Sequence, residues 1–283
     1  MPYGVLKDEK VERFATLKDL DKYKTTIEER EDYEPHIKND FVVYAGVDYQ
    51  KILELADKES ELILWDGGNN DASFIKPDLQ IAVADPLRAG NELSYYPGST
   101  VARSADIIII NKVNSASKED VQRVRANLEG INSRAQIVLA DSVVYADNPG
   151  MIKGKKALLV EDGPTITHGG MIFGAATVAA KQYGVSEIAD PRRHLVGTLK
   201  EVYAKYPTLG KELPAVGYSP KQINDLEATI NLTDCDVVIS ATPTDLRRLV
   251  AVNKPIVQIS YELSPKGNAL DKALEGFLGK RME

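Results

Sequence analysis

The sequence predicts an α/β protein made of two successive three-layer units with mainly parallel sheets. From residue 41 onward, short apolar segments of strand length alternate with amphipathic segments of helix length. Residues 107–110 are four consecutive isoleucines, a pattern typical of a strand that is buried on both faces. Strands that alternate with helices pair in parallel through right-handed crossovers. Asp147-Asn148-Pro149-Gly150 interrupts the alternation, so we place the domains at 1–148 and 149–283.

The composition of the chain argues against nucleic acid and membranes as partners. The chain has 283 residues, 43% of them hydrophobic, and a net charge of -7 without a basic block, so nucleic acid is not an expected partner. The single cysteine, Cys235, excludes an internal disulfide and fits a reducing compartment. No apolar run approaches the roughly 18 residues that a membrane helix needs, and the N-terminus has no apolar signal segment. We therefore expect a cytoplasmic protein without a membrane partner.

Each predicted unit contains several strands and helices. In the first unit, we predict strands at 41–44, 61–65, 79–84, 106–110 and 136–140, and helices at 48–58, 100–105 and 118–128. In the second unit, we predict strands at 156–160, 186–189, 235–240 and 255–261, and helices at 171–183, 197–205, 221–231 and 245–251, followed by a terminal helix.

The charged segment 16–34 precedes this alternation. Thr26 is a suitable start for a helix. The segment is either a solvated helical face or a lid in which Glu28, Glu29 or Arg30 closes over a nucleotide site.

Asp66 follows the apolar run at 61–65. Ligands of open α/β sheets bind at the carboxyl ends of the strands. An Asp at that edge can hold Mg²⁺, usually through water, beside a nucleotide phosphate. The alternative is an ordinary turn, because Asp66 precedes a run of glycines and asparagines.

Asn111, Lys112 and Asn114 directly follow the isoleucine strand. Nucleotide-binding proteins of the P-loop class have Asn-Lys-x-Asp at such a strand end, where the Asp accepts two hydrogen bonds from guanine. Asn114 offers a single uncharged acceptor, so this turn does not predict selectivity for guanine. A plain strand-end turn is the alternative. The phosphate-cradling run GxxxxGK[ST] does not occur in this sequence.

The second unit contains a glycine-rich loop between a strand and a helix, at 161–170. Glycines allow backbone N–H groups to approach an anion, and a helix N-terminus favours negative charge. Arginines follow two further strands, where they suit a phosphate or a carboxylate. A mobile loop and helix capping are the alternatives. The predicted substrate-binding residues are Gly163, Thr165, Thr167, Gly169, Gly170, Arg192, Arg193, Thr242 and Arg247, and the predicted catalytic residues are Asp66 and His168.

Longer runs carry a resemblance to a known family. These runs are YEPHI, VVYAGVDY, WDGGNND, ADPLR, NKVN, VEDGPTITHGGM, DPRR, LPAVGY, DLEATIN, DCDVVISATPTDLRRL and NKPIV. Together they resemble the cyclic 2,3-diphosphoglycerate synthetase family over about residues 1–263. The resemblance implies a P-loop protein that uses ATP to close an intramolecular phosphoanhydride and releases ADP and phosphate. By position, Asp66 would be the metal-proximal acid, residues 111–114 the base-contact turn, and 163–170 the second-domain loop.

Two departures from the family pattern qualify this expectation. Asn114 replaces an Asp, and the first unit resembles only the part of a P-loop NTPase domain that follows the P-loop. The chain is therefore expected to be the C-terminal portion of a family member, with Mg²⁺, ATP and a small phosphorylated substrate. A homo-oligomer or a partner segment that supplies the P-loop is also expected. The open alternatives are a non-catalytic subunit that binds a phosphometabolite and a GTPase-like switch protein.

Overall fold

The computed structural model describes residues 10–67, 73–216 and 219–282. Contacts divide the chain into two units. Unit 1 takes the chain up to Ile63 and again from Val144 to Ser260, and unit 2 takes Leu64–Val143 and the chain from Tyr261 onward. The chain passes from unit 2 back to unit 1 between Val143 and Val144, close to the predicted domain boundary between 148 and 149. That boundary remains a prediction.

The predicted α/β class with mainly parallel pairing is confirmed. The described strands are β1 (Glu12–Phe14), β2 (Val43–Ala45), β3 (Ile81–Ala84), β4 (Ile107–Ile110), β5 (Gln136–Ala146), β6 (Lys156–Asp162), β7 (Glu187–Ile188), β8 (Leu213–Ala215), β9 (Val237–Ala241) and β10 (Ile256–Pro265). The described helices are α1 (Leu17–Lys22), α2 (Ile27–Lys38), α3 (Tyr49–Ala56), α4 (Asn91–Ser94), α5 (Gly98–Ser104), α6 (Lys118–Ile131), α7 (Gly163–Thr167), α8 (Ala175–Tyr183), α9 (Thr198–Lys205), α10 (Pro220–Leu232) and α11 (Ala269–Met282). None of these helices is long and apolar enough to cross a membrane.

In unit 2, β3, β4 and β5 lie side by side and pair in parallel. Ile108 and Ile110 pack with Val124 and Leu128 of α6 on one face of β4. The isoleucines at 107 and 109 pack on the other face, in a cluster that includes Leu270 of α11. The four consecutive isoleucines are therefore buried on both faces, as predicted.

In unit 1, β10, β9, β6 and β7 lie in this order, β8 also pairs with β6, and each described pairing among them is parallel. Alanines of α8 pack against Leu159 and Ile239 on one face of the sheet. Helices α9 and α10 cover the other face, where Ile230 packs with Leu158 and Val238. β1 and β2 form a separate antiparallel pair above a small core that contains Phe14, Leu20 and Ile37.

Three predicted elements are corrected. Residues 61–65 do not form a strand, and Leu62, Ile63 and Leu64 are 51%, 41% and 74% exposed. A strand requires hydrogen bonds from a neighbour, and no described strand pairs with this run. The predicted helix at 245–251 is only a 3₁₀ turn, Leu246–Arg248, which the Asp245 carboxylate caps by accepting the Arg247 N–H. The predicted helix at 171–183 begins at Ala175.

Candidate functional site

Unit 2 brings a carboxylate and two cations together at the ends of β3 and β4. Asp85 follows β3, and its Oδ2 lies 2.9 Å from Lys112 Nζ and 3.1 Å from Arg88 Nη2. Its Oδ1 accepts the Leu87 N–H at 3.0 Å. Lys112 has a positive φ of 59°. The predicted nucleotide-binding lysine is thus oriented by Asp85, an acid that the sequence did not assign to the site.

The two amides of the Asn111–Asn114 turn bond to the backbone. Asn114 Nδ2 donates to the Ser142 carbonyl at 2.9 Å, and Asn114 Oδ1 accepts the Ser142 N–H at 3.1 Å. Asn111 Oδ1 accepts the Lys112 N–H at 2.8 Å. Among the described contacts, Asn114 keeps one N–H and one lone pair for a ligand, whereas Asn111 keeps both N–H groups and one lone pair. Contact of Asn111, Lys112 and Asn114 with a nucleotide stays a prediction.

Asp141 is a further acid of unit 2 that sequence reasoning missed. Its Oδ2 lies 3.0 Å from Lys266 Nζ, and its Oδ1 is buried without a hydrogen-bond partner within the described residues. The signal was present, since the strand predicted at 136–140 is followed directly by this acid. A buried carboxylate oxygen without a partner is rare, so it marks a position where a ligand donor can bind.

Asp66 lies on the surface, after a run that is not a strand. Most of the glycine and asparagine turn beside it, at 68–71, lies outside the described residues, as do 217–218 of the run LPAVGY. Within the described part of the chain, no three His, Cys, Asp or Glu side chains come together to hold a metal. A magnesium ion held through a single acid and water does not need such a group, so the metal role of Asp66 stays a prediction.

In unit 1, a protein carboxylate occupies the helix N-terminus that was predicted to attract an anion. Glu161 is 1% exposed, and its Oε1 accepts the N–H groups of Gly174 and Thr177 at 3.0 and 2.8 Å and the Thr177 hydroxyl at 2.9 Å. Its Oε2 accepts the Ala176 N–H at 3.0 Å. Burial raises the pKa of Glu161, and these hydrogen bonds act in the opposite direction. The backbone N–H groups at the start of α8 are therefore already bonded to Glu161.

Close packing explains two of the predicted glycines. A Cβ at Gly163 would lie 2.1 Å from the Ala215 carbonyl, because α7 lies directly against β8. A Cβ at Gly169 would lie 2.6 Å from the Thr165 carbonyl. Gly170 has a positive φ of 68°, which favours glycine for conformational reasons. Their contact with substrate stays a prediction.

His168 forms a chain of hydrogen bonds with two neighbours. Its Nδ1 lies 2.9 Å from Thr167 Oγ1, and its Nε2 lies 3.0 Å from the Tyr206 hydroxyl. Thr167 donates its only hydroxyl proton to the Gly163 carbonyl at 2.7 Å. Thr167 must therefore accept from Nδ1–H, which leaves Nε2 of the neutral ring to accept from Tyr206.

The structure thus sets the tautomer of an exposed histidine and adds Tyr206 to the candidate residues. Thr165 instead donates its N–H and its hydroxyl to Asp162. Tyr206 follows α9, far from His168 in sequence, and no local pattern in the sequence pairs the two residues.

The predicted substrate-binding arginines have acidic partners in their own turns. Arg192 donates to Asp190 through Nε at 2.8 Å and Nη2 at 2.5 Å, which lowers the pKa of Asp190 to about 2. Arg193, in the same turn, is exposed. Their predicted role in substrate binding is untested by this geometry.

A polar cluster surrounds the end of β9 in unit 1. Arg247 donates to Asp245 through Nε and Nη2, and to Asp147 Oδ2 through Nη1 at 2.8 Å. Three of its five N–H groups are used, so two remain for a ligand. Asp147 Oδ1 also accepts the Gln258 N–H at 3.1 Å.

Thr242 and Gln258 complete this cluster. The Thr242 carbonyl accepts Gln258 Nε2 at 2.8 Å, and the Thr242 side chain bonds to Ser240 and to the Thr244 carbonyl. Gln258 Oε1 is buried and has no partner within the described residues. The cluster therefore contains both arginine N–H groups and a buried acceptor that is unused among the described residues. Thr242 and Arg247 were predicted from the sequence, whereas Asp147 and Gln258 were not.

Helix α2 of unit 1 contacts this region through Glu34. Its Oε2 lies 3.2 Å from Arg248 Nη1, in the turn after β9. The residues predicted to form a lid are engaged elsewhere: Glu29 bonds to the N-cap residue Thr26, and Arg30 pairs with Asp21. The side chain of Glu28 lies outside the described residues.

Two curated proteins are similar to this chain. One is arginine synthetase ArcE of Thermococcus kodakarensis (strain ATCC BAA-918 / JCM 12380 / KOD1), which is 57% identical over 267 residues, or 94% of this chain. The chain spans 60% of the length of that protein. The other is cyclic 2,3-diphosphoglycerate synthetase of Thermococcus sibiricus (strain DSM 12597 / MM 739), which is 30% identical over 116 residues, or 40% of this chain and 26% of that protein. No protein-family model matches the chain.

Proposed function

We propose that this chain is part of an ATP-dependent synthetase that forms arginine. The observation that carries the proposal is its extended identity to the T. kodakarensis arginine synthetase. The more distant similarity to a cyclic 2,3-diphosphoglycerate synthetase supports the broader class, an ATP-dependent ligase. The activity belongs to a longer polypeptide, because the chain spans 60% of the relative.

The polar cluster after β9 supports an amino acid as ligand. An amino acid carries a carboxylate and an ammonium group, and arginine adds a guanidinium. Arg247 has two N–H groups left for the carboxylate. Gln258 Oε1 and Asp147 offer acceptors for a cationic group. This mixed donor and acceptor set suits a zwitterion better than it suits a purely anionic substrate.

The cluster after β3 and β4 supports the nucleotide. Lys112 supplies a positive charge that Asp85 keeps in one orientation. Asn114 has one N–H and one lone pair to offer a base, and Asn111 has two N–H groups and one lone pair. Mg²⁺, bound near Asp66, would neutralise the charge of the phosphates. Asp66 would orient the water molecules of that ion, and His168 and Tyr206 would hold a proton in the chain of hydrogen bonds described above.

The decisive test is a chimaera in which this chain replaces the matched region of the T. kodakarensis protein. By microscopic reversibility, a synthetase forms ATP when it is given arginine, ADP and phosphate. A parallel reaction with AMP and diphosphate covers the other mode of ATP cleavage. We expect arginine-dependent ATP formation in one of the two reactions. Its absence from a folded chimaera would rule out the proposed reaction.

Asp66→Asn in the same chimaera tests the metal role. We expect turnover to be lost, because a neutral amide holds Mg²⁺ weakly. Arginine binding, measured by calorimetry, should remain. A variant that keeps full turnover would exclude Asp66 from the metal site. Asp57→Asn, which changes an exposed acid directly after α3, is the matched control and should have no effect.

The second candidate function is cyclic 2,3-diphosphoglycerate synthesis. The family resemblance over residues 1–263 and the match to the T. sibiricus protein favour it. Parallel titrations with arginine, 2,3-diphosphoglycerate, ATP and GTP separate the candidates. Binding of diphosphoglycerate together with ATP would favour this synthetase. Binding of diphosphoglycerate alone would favour the non-catalytic subunit, and preference for GTP would favour the switch protein.

A further inference from the structure

Among the described residues, the outer edge of β3 in unit 2 has no paired strand. β3 pairs with β4 on one side, and no described strand pairs with its other side. The carbonyls of Gln80 and Ala84 accept N–H groups from the β4 segment. Backbone groups alternate in direction along a strand, so the N–H and C=O groups of Ile81 and Val83 point away from β4.

β3 is apolar, and within the described part of the chain its outer edge lacks the usual protection. Ile81 and Val83 are 40% and 48% exposed, whereas Ala82 and Ala84 are buried. Natural sheets block an open edge with lysine, proline or a bulge. The segment Ile81-Ala82-Val83-Ala84 contains no charge and no proline, and its register with β4 is continuous. A strand with these properties is suited to pairing with another strand.

We propose that the outer edge of β3 binds one further β-strand, supplied by polypeptide outside this chain. The occupant is the part of the synthetase that corresponds to the region of the T. kodakarensis protein beyond the match. That region amounts to the remaining two fifths of its length, because the chain spans 60% of it. The incoming strand should be apolar where it meets Ile81 and Val83, and it should exchange backbone hydrogen bonds with both residues.

A second copy of this chain is the competing occupant. Two β3 strands related by a twofold axis would pair in antiparallel fashion over only four residues. A four-residue pair between otherwise separate molecules buries little surface, whereas a stable interface buries about 1,200 Å² or more in total. A segment that belongs to the same protein has additional surface to bury against unit 2, so it is the favoured occupant.

The experiment mixes this chain with the separately produced unmatched part of the T. kodakarensis protein. Binding is measured by calorimetry and by light scattering after size exclusion. We expect a one-to-one complex. Val83→Lys and Ile81→Lys should each weaken it by roughly tenfold or more, about 1.4 kcal/mol. The matched control is Leu93→Lys, because Leu93 of α4 is 41% exposed but lies off the edge. It should bind like the wild type.

Hydrogen exchange gives a second readout without substitution. The amides of Ile81 and Val83 should become protected when the segment is added, because they gain a partner strand. The proposal is overturned by the absence of a complex, by equal binding of all three lysine variants, or by unchanged exchange at these amides. A dimer of this chain alone that Val83→Lys abolishes would also overturn it, in favour of a second copy. These outcomes do not depend on which reaction the synthetase performs.

Discussion

At the scale of single residues, Glu161 is the buried carboxylate that begins α8. Three backbone N–H groups and one hydroxyl point at its two oxygens. Glu161→Gln keeps the shape but turns an NH₂ group toward these donors. We expect the free energy of unfolding to fall by about 1–3 kcal/mol, the cost of donors left without an acceptor. Urea titration measures this change.

The effect of this substitution should depend on pH. Burial raises the pKa of Glu161 above its ordinary value of 4.5. At a pH between 4.5 and this raised pKa, Glu161 keeps its proton in the folded protein but has lost it in the unfolded chain. The contribution of Glu161 to the free energy of unfolding is therefore complete below pH 4.5. It declines as the pH rises through the pKa that Glu161 has in the folded protein. Glutamine does not titrate, so the difference between wild type and variant should narrow as pH rises above 4.5.

A control and a contrary result define this test. Glu262 is an exposed acid on β10. Glu262→Gln should shift the stability curve by only a few tenths of a kcal/mol at every pH. A difference between wild type and Glu161→Gln that stays constant or widens above pH 4.5 would contradict the raised pKa.

The tautomer of His168 is a second prediction at this scale. Thr167 has already donated its proton, so the neutral ring should carry its hydrogen on Nδ1. Long-range ¹H–¹⁵N spectra recorded at a pH where the ring is neutral distinguish the two tautomers. Tyr206→Phe removes the donor to Nε2, so we expect a measurable shift toward the Nε2–H form. An Nε2–H tautomer in the wild type would exclude the proposed chain of hydrogen bonds.

At the scale of elements, the start of α8 depends on the absence of a side chain at Gly174. A Cβ there would lie 2.4 Å from Glu161 Oε2, and the carboxylate has no room to move because it is buried. We expect Gly174→Ala to destabilise the fold by about 1–3 kcal/mol through overpacking. Thermal unfolding measures this effect.

Gly276 offers the matched control for this prediction. It lies within α11, and a Cβ there would meet nothing within 4 Å. Gly276→Ala should stabilise the fold by about 0.4–1 kcal/mol, because it restricts the unfolded chain. If both substitutions had the same effect, the close contact at Gly174 would not control the start of α8.

Helices and strands could be predicted from the sequence where the local pattern of apolar residues also shows which faces are buried. The isoleucines at 107–110 have no polar alternation, and both faces of β4 are covered. The run at 61–65 is equally apolar, but it has no described strand partner, and a sequence does not state which neighbour a strand will have. The helix expected from 171 begins at Ala175 because Glu161, from another element, caps it.

At the scale of the whole molecule, the two units take residues from both halves of the chain. Leu270 of α11 packs with Ile107, Ile109 and Val138, more than a hundred residues earlier. A cut at the predicted boundary between 148 and 149 would separate these residues. We therefore expect that fragments 1–148 and 149–283 do not unfold cooperatively alone, and that mixing them restores a cooperative thermal transition. Cooperative unfolding of each separate fragment would instead support two successive domains.

The same interleaving limits how much of the candidate site a sequence can predict. Strand-end residues such as Lys112 and Arg247 could be proposed from the sequence because parallel strands end at a common edge. Tyr206 and Gln258 were missed, because each becomes a candidate only through a contact with a residue distant in sequence. Asp141 was within reach, since the strand predicted before it ended at the preceding residue.

The two hydrogen bonds between Asn114 and Ser142 give a structural reason for an Asn at the position where Asn-Lys-x-Asp has an Asp. The side-chain amide and the peptide exchange one donor and one acceptor, the same reciprocity by which two nucleobases recognise each other. An aspartate could accept the Ser142 N–H, but it would set a negative charge against the Ser142 carbonyl. Through these two hydrogen bonds, Asn114 therefore connects the turn after β4 to the neighbouring strand β5. A ligand that displaces this amide would loosen the turn that holds Lys112.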